Sequence, residues 1–223
     1  MKDARRVPQS LPHAAPFEAL GIVVLCFGWF ILGSLQAAAA WRPEAGTGGG
    51  FTNGGFDALV VIELILGTSA IAVLGMRGYP LQTLMPRPSW FGALWGAGLY
   101  AAVIVLDAFI QPLLPGGVGA PVIDMLDQTR AAWSSIVPMA LVNGAYEEIF
   151  LLGYLMRGLR RYGASTAIGI ALLVRMLYHT YQGPAGVVAV MLFGLAVSLY
   201  YQRKGQLFPV VLAHVIGDIA PFM

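Results

Sequence analysis

The chain has 223 residues, of which 58% are hydrophobic and 11% charged, and its mean hydropathy is +0.73. A soluble domain normally carries about 25% charged residues, so this composition excludes a surface that faces water on all sides. The formal net charge is +2, and the basic residues are dispersed in small groups, which excludes the continuous basic face of a nucleic-acid-binding protein. The single cysteine, Cys26, excludes an internal disulfide and a cluster of thiolate metal ligands.

Seven apolar stretches each approach the roughly 20 residues that cross about 30 Å of hydrocarbon. In chain order they predict transmembrane helices at Ala19–Ala40, Asp57–Met76, Trp90–Ile110, Trp133–Met156, Ser165–Tyr181, Ala185–Tyr201 and Leu207–Phe222. The first stretch is longer than the apolar part of a signal peptide, about 7–15 residues, so we predict a retained anchor. Turn-forming residues separate several stretches: Gly46–Gly55, Pro86 and Pro88, Pro115–Gly119, and Gly183-Pro184. The predicted fold class is all-α, a polytopic membrane helix bundle of about seven transmembrane helices.

Lysine and arginine in the short loops predict the orientation of the helices, because the cytoplasmic side is enriched in both. Alternating helices place ten basic residues on one side: Lys2, Arg5, Arg6, Arg77, Arg87, Arg157, Arg160, Arg161, Arg203 and Lys204. Arg42 and Arg130 fall on the other side, and Arg175 lies inside a predicted helix. We therefore predict a protein of the cell (cytoplasmic) membrane, with its N-terminus in the cytoplasm and its C-terminus outside.

Ionisable side chains inside the predicted helices are candidates for function, because each costs at least about 2.5–3.5 kcal/mol at the centre of a bilayer. They are Glu63, Asp107, Glu147, Glu148, Arg175, His179, His214 and Asp218. All but the first two lie after position 146. This clustering predicts a polar site in the last four helices, and we interpret Glu63 and Asp107 as structural hydrogen-bond partners.

Glu147 and Glu148 are adjacent, so on a helix their side chains point about 100° apart and cannot face one point equally. Two adjacent carboxylates in a medium of low dielectric constant cannot both stay ionised unless donors or cations lie nearby. The pair is typical either of a general base or acid or of a structural pair bonded to neighbouring helices. The two residues alone leave both interpretations open.

Two further pairs are spaced four residues apart, which places both members on one face of a helix. Arg175 shares a face with His179, and an arginine in a membrane helix requires an anionic partner, for which we predict one of the adjacent glutamates. His214 shares a face with Asp218. At a rise of 1.5 Å per residue, the two histidines and the glutamates lie about 10–20 Å from the cytoplasmic ends of their helices. The depths therefore predict one shared site near the middle of the membrane.

These motifs resemble those of the CAAX-protease and bacteriocin-processing family, a group of intramembrane peptidases that includes the prenyl-protein endopeptidase. The family pattern is Glu-Glu-x-x-x-Arg, then Phe-x-x-x-His, then His-x-x-x-Asn or Asp, on successive membrane helices. Glu147 and Glu148 match the first motif, His179 the second, and His214 with Asp218 the third.

The resemblance covers roughly residues 130–223 and divides the chain into three predicted parts. Residues 1–16 form a cytoplasmic tail, residues 17–130 carry the first three transmembrane helices, and residues 131–223 form a catalytic core of the last four. The chain departs from the family pattern twice: Leu152 stands at the arginine of the first motif, and Arg175 at the phenylalanine of the second. We hypothesise that Arg175 reaches across to the carboxylate that the family arginine would serve.

The resemblance implies hydrolysis of a peptide bond by an activated water, with catalytic residues Glu147, Glu148, His179, His214 and Asp218, supported by Arg175. Glu147 would be the general base, assisted by His179, while His214 with Asp218 would stabilise the oxyanion. Glu148 would hold the constellation together. This chemistry requires no cofactor, but Glu147, His179 and His214 can supply a zinc site of the His₂Glu kind, so metal dependence stays open.

Two other functions stay open. One is a catalytically inactive relative that acts as a membrane scaffold, and the other is a proton-coupled transporter, although the broken helices and inverted repeats typical of transporters are not found. The predicted partners are a peptide or membrane-protein substrate and the lipid bilayer, with no nucleic acid and no prediction of oligomeric state. The size of the chain favours a bacterial source, for which the resemblance implies peptide maturation, bacteriocin immunity or membrane-protein turnover rather than cleavage of prenylated CAAX tails.

Overall fold

The structure, a computed structural model, describes residues 15–41, 50–114 and 121–223. The described residues form α-helices and no strand, which confirms the predicted all-α fold class. The α-helices are α1 (Pro16–Ala40), α2 (Asn53–Met76), α3 (Trp90–Ile110), α4 (Pro121–Asp127), α5 (Trp133–Glu148), α6 (Arg157–Leu159), α7 (Ala164–His179), α8 (Gly183–Lys204) and α9 (Leu207–Ile219). A π-helical segment, Ile149–Met156, joins α5 to α6. Short 3₁₀ turns lie at Leu81–Leu84, Gln111–Leu113, Arg160–Tyr162, Thr180–Gln182 and Ala220–Phe222.

Each of the seven predicted apolar stretches is helical. Among the described residues, five helical segments are long and apolar enough to cross a membrane: Pro16–Ala40, Asn53–Met76, Trp90–Leu113, Trp133–Tyr162 and Ala164–Lys204. The last of these contains two of the predicted helices, α7 and α8, with a 3₁₀ turn between them. The final helix, with its terminal turn, is a shorter apolar helix. The chain is therefore an integral membrane helix bundle.

Several boundaries differ from the prediction. The break between α7 and α8 begins with the turn Thr180–Gln182 and includes Gly183, whose φ of +74° is not helical, so it extends the predicted break at Gly183-Pro184 towards the N-terminus. Asn53 to Gly55 form the first turn of α2 instead of part of the predicted break at Gly46–Gly55, and the Thr52 hydroxyl caps this turn by accepting from the Gly55 N–H at 3.1 Å. Helix α4 was not predicted, since its seven residues are too few to establish an apolar period.

Some predictions lie outside the described residues. These are the tail over residues 1–14, the glycines at 46–49 and the break at 115–119, together with Lys2, Arg5, Arg6 and Arg42. Several of the described basic residues lie at one end of the bundle, whereas Arg130 bonds to Phe51 before α2 and Arg175 is buried inside the bundle. Arg77 at the end of α2 pairs with Glu18 in the first turn of α1, and Arg160 donates to the carbonyl of Gln202 near the end of α8.

Helix α5 and its π-helical extension lie at the centre of the bundle. In the most apolar stretch of this segment 61% of the residues are buried, compared with 11–22% in the corresponding stretches of the first three membrane-spanning segments. Helix α5 packs against α2 and α9, while α7 packs against α1 and α8. The outer helices expose large apolar side chains such as Trp29, Phe91 and Phe109, which suits a surface in contact with lipid rather than water. The polar residues Ser135, Glu147 and Glu148 of α5 are consequently buried among other helices.

Candidate active site

Glu147 and Glu148 end helix α5, immediately before the π-helical segment, and both are buried. Segments of π-helix are rare and often occur at functional sites. Glu148 accepts two hydrogen bonds at the same oxygen: its Oε1 lies 2.6 Å from Arg175 Nη2 and 2.6 Å from His214 Nδ1. An ionised carboxylate has no proton to give, so His214 Nδ1 is the donor and Nε2 is the nitrogen that remains for chemistry. Glu148 thereby fixes the orientation of the His214 ring.

The Glu147 carboxylate lies between two helices that carry histidines. Its Oε2 accepts from the Tyr178 hydroxyl at 2.5 Å and from Arg175 Nη1 at 3.4 Å. Its Oε1 is 3.7 Å from His179 Nε2, and its Oε2 is 3.8 Å from His214 Nε2. Both distances to the imidazoles exceed the length of a direct hydrogen bond. The two imidazoles therefore face the carboxylate without blocking it.

Asp218 and His179 are each held by an amide side chain. Asp218 Oδ2 accepts from Asn143 Nδ2 at 2.9 Å, and its Oδ1 lies 3.6 Å from His214 Nε2. His179 Nδ1 lies 3.1 Å from Gln182 Nε2. An amide nitrogen is a donor, so this contact leaves the proton of a neutral His179 on Nε2, which faces Glu147.

A cavity of about 420 Å³ opens onto this cluster. Its wall includes all but one of the predicted site residues: Glu147, Arg175, His179, His214 and Asp218. Glu148 is the exception, since it is fully buried and lies behind the wall. The geometry gives Glu148 the position of a residue that orients Arg175 and His214 rather than one that touches a substrate.

The structure also brings Glu63 and Asp107 to the wall of this cavity. Asp107 has a hydrogen-bond partner, as predicted, because its Oδ1 accepts from Gln111 Nε2 at 2.9 Å. Glu63 differs: it is buried, and its Oε2 has no hydrogen-bond partner within the part of the chain that the structure describes. The interpretation of Glu63 as a structural hydrogen-bond partner therefore fails for this oxygen.

Three polar residues of the site were not predicted: Tyr178, Gln182 and Asn143. Their spacing carried a signal, because Tyr178 follows Arg175 by three residues and Asn143 precedes Glu147 by four. Residues at these spacings share a helix face. An uncharged side chain costs less in a membrane than an ion does, so these residues do not stand out when ionisable groups alone are considered.

Comparison with protein families places the site in a known group. Residues 129–220 match the family model described as type II CAAX prenyl endopeptidase Rce1-like. This region, the Rce1-like domain, is similar to that family. The match confirms the family to which the three motifs pointed, and it contains every predicted site residue. No curated protein and no solved structure matches the chain.

Within the Rce1-like domain, the donors best placed for a metal ion differ from the predicted set. Glu147, Glu148 and His214 offer ligand atoms that all lie within 4.8 Å of one another, and His179 is not in this group. Arg175 already contacts both carboxylates, at 3.4 and 2.6 Å. A divalent cation there would compete with the guanidinium for the same oxygens and would be repelled by its charge. The donor set therefore fits a metal ion poorly.

Gly194 in α8 allows Arg175 to reach the two glutamates. A Cβ atom added at Gly194 would lie 2.8 Å from Arg175 Cδ and 2.9 Å from Leu172 Cδ2. We expect Gly194→Ala to displace Arg175 and to destabilise the Rce1-like domain by about 1–3 kcal/mol. The control is Gly169→Ala in α7, where an added Cβ meets no atom within 4 Å. Equal unfolding midpoints in lipid-like detergent for the two variants would contradict this account.

Proposed function

We propose that the chain is an intramembrane endopeptidase that hydrolyses a peptide bond of a membrane-associated peptide or protein. The observation that carries this proposal is the Glu147 carboxylate, which faces two imidazoles at 3.7 and 3.8 Å on the wall of a cavity inside a membrane helix bundle. Membership of residues 129–220 in an endopeptidase family supports the same reaction class.

In the proposed reaction, Glu147 acts as the general base. A water bound between Glu147 and His179 gives a proton to the carboxylate as its oxygen attacks the carbonyl carbon of the scissile bond. The tetrahedral intermediate then collapses: the C–N bond breaks, and the proton passes from Glu147 to the leaving amine nitrogen. The products are a carboxylic acid and an amine. An oxygen bridging two groups that are 3.7 Å apart can lie within hydrogen-bond distance of both.

The oxyanion of the intermediate would be stabilised from the opposite helix. His214 Nε2 faces the cavity, and donation from this nitrogen requires a protonated ring, whose charge the carboxyl groups of Glu147, Glu148 and Asp218 balance. A carboxylate at Asp218 would itself repel an oxyanion, so we assign it the orientation of His214 Nε2. Asn143 holds Asp218 in place through its amide.

Glu148 and Arg175 act as positioning residues in this proposal. Arg175 bridges Glu147 and Glu148, and Glu148 in turn orients His214. A charge network fixed before the substrate arrives avoids reorganisation during the reaction, which is the main source of electrostatic stabilisation in enzymes. Leu152, at the position of the family arginine, is buried in apolar core, so the cation is supplied from α7 instead.

The rest of the cavity wall indicates the substrate class. It is largely aromatic and aliphatic, and includes Phe27, Phe30, Phe51, Phe56, Phe193 and Phe222. Such a wall suits an apolar peptide segment entering from the bilayer. We propose a peptide or membrane-protein substrate, with the site in residues 131–223 and the basic end of the bundle in the cytoplasm.

Peptide release in the presence of a chelator tests the proposal. The purified protein, reconstituted in liposomes, is incubated with a library of apolar peptides, and the products are identified by mass spectrometry. We expect release that survives chelation, because Arg175 rather than a metal balances the glutamates. Glu147→Ala provides the blank for contaminating proteases. Release that stops with the chelator and returns with zinc would reverse the assignment of the mechanism, and the absence of any Glu147-dependent product would favour an inactive relative.

A further inference from the structure

We propose that Glu63 is a substrate-binding residue that pairs with a cationic nitrogen of the apolar peptide. The nitrogen belongs to a free N-terminal ammonium group or to a lysine or arginine side chain. This inference deepens the proposed function and rests on it, because it assigns the charge of the substrate that the same cavity admits.

Glu63 lies on α2, outside the Rce1-like domain, and contributes to the cavity wall that also carries Glu147. Its relative exposure is only 3%, and Oε2 has no hydrogen-bond partner among the residues described. A buried polar oxygen that has no hydrogen-bond partner destabilises the folded protein, because it has lost its bonds to water without replacement. A group in a membrane protein that bears such a cost is a candidate for binding a ligand that removes it.

The other carboxyl groups on the cavity wall all have donors. Glu147 accepts from Tyr178, Asp107 accepts from Gln111, and Asp218 accepts from Asn143. Glu63 stands apart from these three because its Oε2 has none in the described part of the chain. On the cavity wall, the buried carboxyl oxygen that the described residues leave without a donor is thus one to which a substrate can donate.

The basic side chains on the wall already face carboxyl groups of the protein. Arg175 contacts Glu147 and Glu148, His214 contacts Glu148, and His179 faces Glu147. None of these ion pairs includes Glu63 among the described residues. An electrostatic attraction in a poorly solvated cavity is stronger than the same attraction in water. Most of the remaining wall is apolar. The cavity therefore combines an apolar surface with a buried carboxyl oxygen that lacks a donor among the described residues, which matches an apolar peptide with one positive charge.

Peptide pairs that differ in one charge test the inference. Each apolar peptide is prepared with lysine or norleucine at one position, scanned along the chain, and with a free or an acetylated N-terminus. The two series distinguish a side-chain cation from an N-terminal one. We expect the wild-type protein to favour the cationic member of one series by at least about tenfold in kcat/KM.

The variant Glu63→Gln is expected to reduce this preference at least about tenfold. Its matched control is Asp57→Asn, which makes the same charge change at an exposed position of α2 away from the cavity wall. If Glu63→Gln does not fold, Glu63→Leu supplies a neutral side chain suited to the apolar surroundings. A wild-type protein with no charge preference, or a preference that persists without the Glu63 carboxyl, would overturn the inference.

A binding measurement separates this inference from the proposed function. The same peptide pairs are titrated against the protein and followed by tryptophan fluorescence, with no hydrolysis required. A Glu63-dependent preference for the cationic peptides in a protein that cleaves none of them would keep the binding role and reject the peptidase. Cleavage without a charge preference would keep the peptidase and reject the binding role of Glu63.

Discussion

Glu147→Gln is expected to lower kcat for peptide hydrolysis by about 10²- to 10⁴-fold, the range that a general base contributes. Glutamine has nearly the same shape as glutamate, and its amide oxygen can still accept from the Tyr178 hydroxyl, so this contact between α5 and α7 is retained. It cannot take a proton from water at neutral pH. The measurement is the rate of peptide cleavage in liposomes, alongside an unfolding curve in detergent for each protein.

The effect on kcat should be separable from effects on binding and folding. The control is Asp57→Asn, which neutralises an exposed carboxylate on α2. We expect KM for Glu147→Gln to change much less than kcat, since the apolar wall of the cavity is intact. A Glu147→Gln protein that folds and cleaves at the wild-type rate would remove Glu147 from the reaction and, with it, the proposed mechanism.

The clustering of the site was predictable because ions in a membrane are costly. An arginine in a membrane helix must have an anionic partner, and the structure pairs Arg175 with both Glu147 and Glu148. The spacing of four residues between Arg175 and His179 placed both on one helix face, and both contact or approach Glu147. Composition and helical periodicity were sufficient for these features.

The sequence alone did not predict which of the two glutamates faces the cavity. Adjacency predicts only that they diverge, whereas the structure places Glu147 on the cavity wall and Glu148 behind it. Which of them faces the cavity depends on how α5 is rotated against α2 and α9, and on the π-helical segment that follows it. Neither property has a strong signature in a single sequence.

The position of Glu63 depends on tertiary packing in the same way. It precedes the family-matched region, and nothing in its local sequence links it to the histidines. Contact between α2 and α5 brings it to the cavity. A sequence pattern can identify an ionisable residue whose burial in the membrane is energetically unfavourable. Helix packing determines which of these residues share a site.

Arg175→Leu is expected to destabilise the protein by about 3–5 kcal/mol, the usual cost of removing one partner from a buried ion pair. Its guanidinium contacts Glu147 and Glu148, and all three residues are buried. Without Arg175, two adjacent carboxylates would remain in an apolar interior. The measurement is the unfolding midpoint in detergent, and the matched control is Arg203→Leu, which removes an exposed arginine at the end of α8. Equal midpoints for the two variants would show that the glutamates do not need this cation.

The double variant Arg175→Leu with Leu152→Arg tests whether the two departures from the family pattern compensate for one another. Leu152 follows Glu148 by four residues, in the π-helical segment, so an arginine there approaches the same carboxylate from α5's own extension instead of from α7. We expect the double variant to regain part of the stability and activity lost by Arg175→Leu. Leu152→Arg alone should destabilise, because Leu152 is buried in apolar core and the carboxylates already have a cation. If the double variant is no more stable than the sum of its single changes predicts, the two positions are independent and the compensation is rejected.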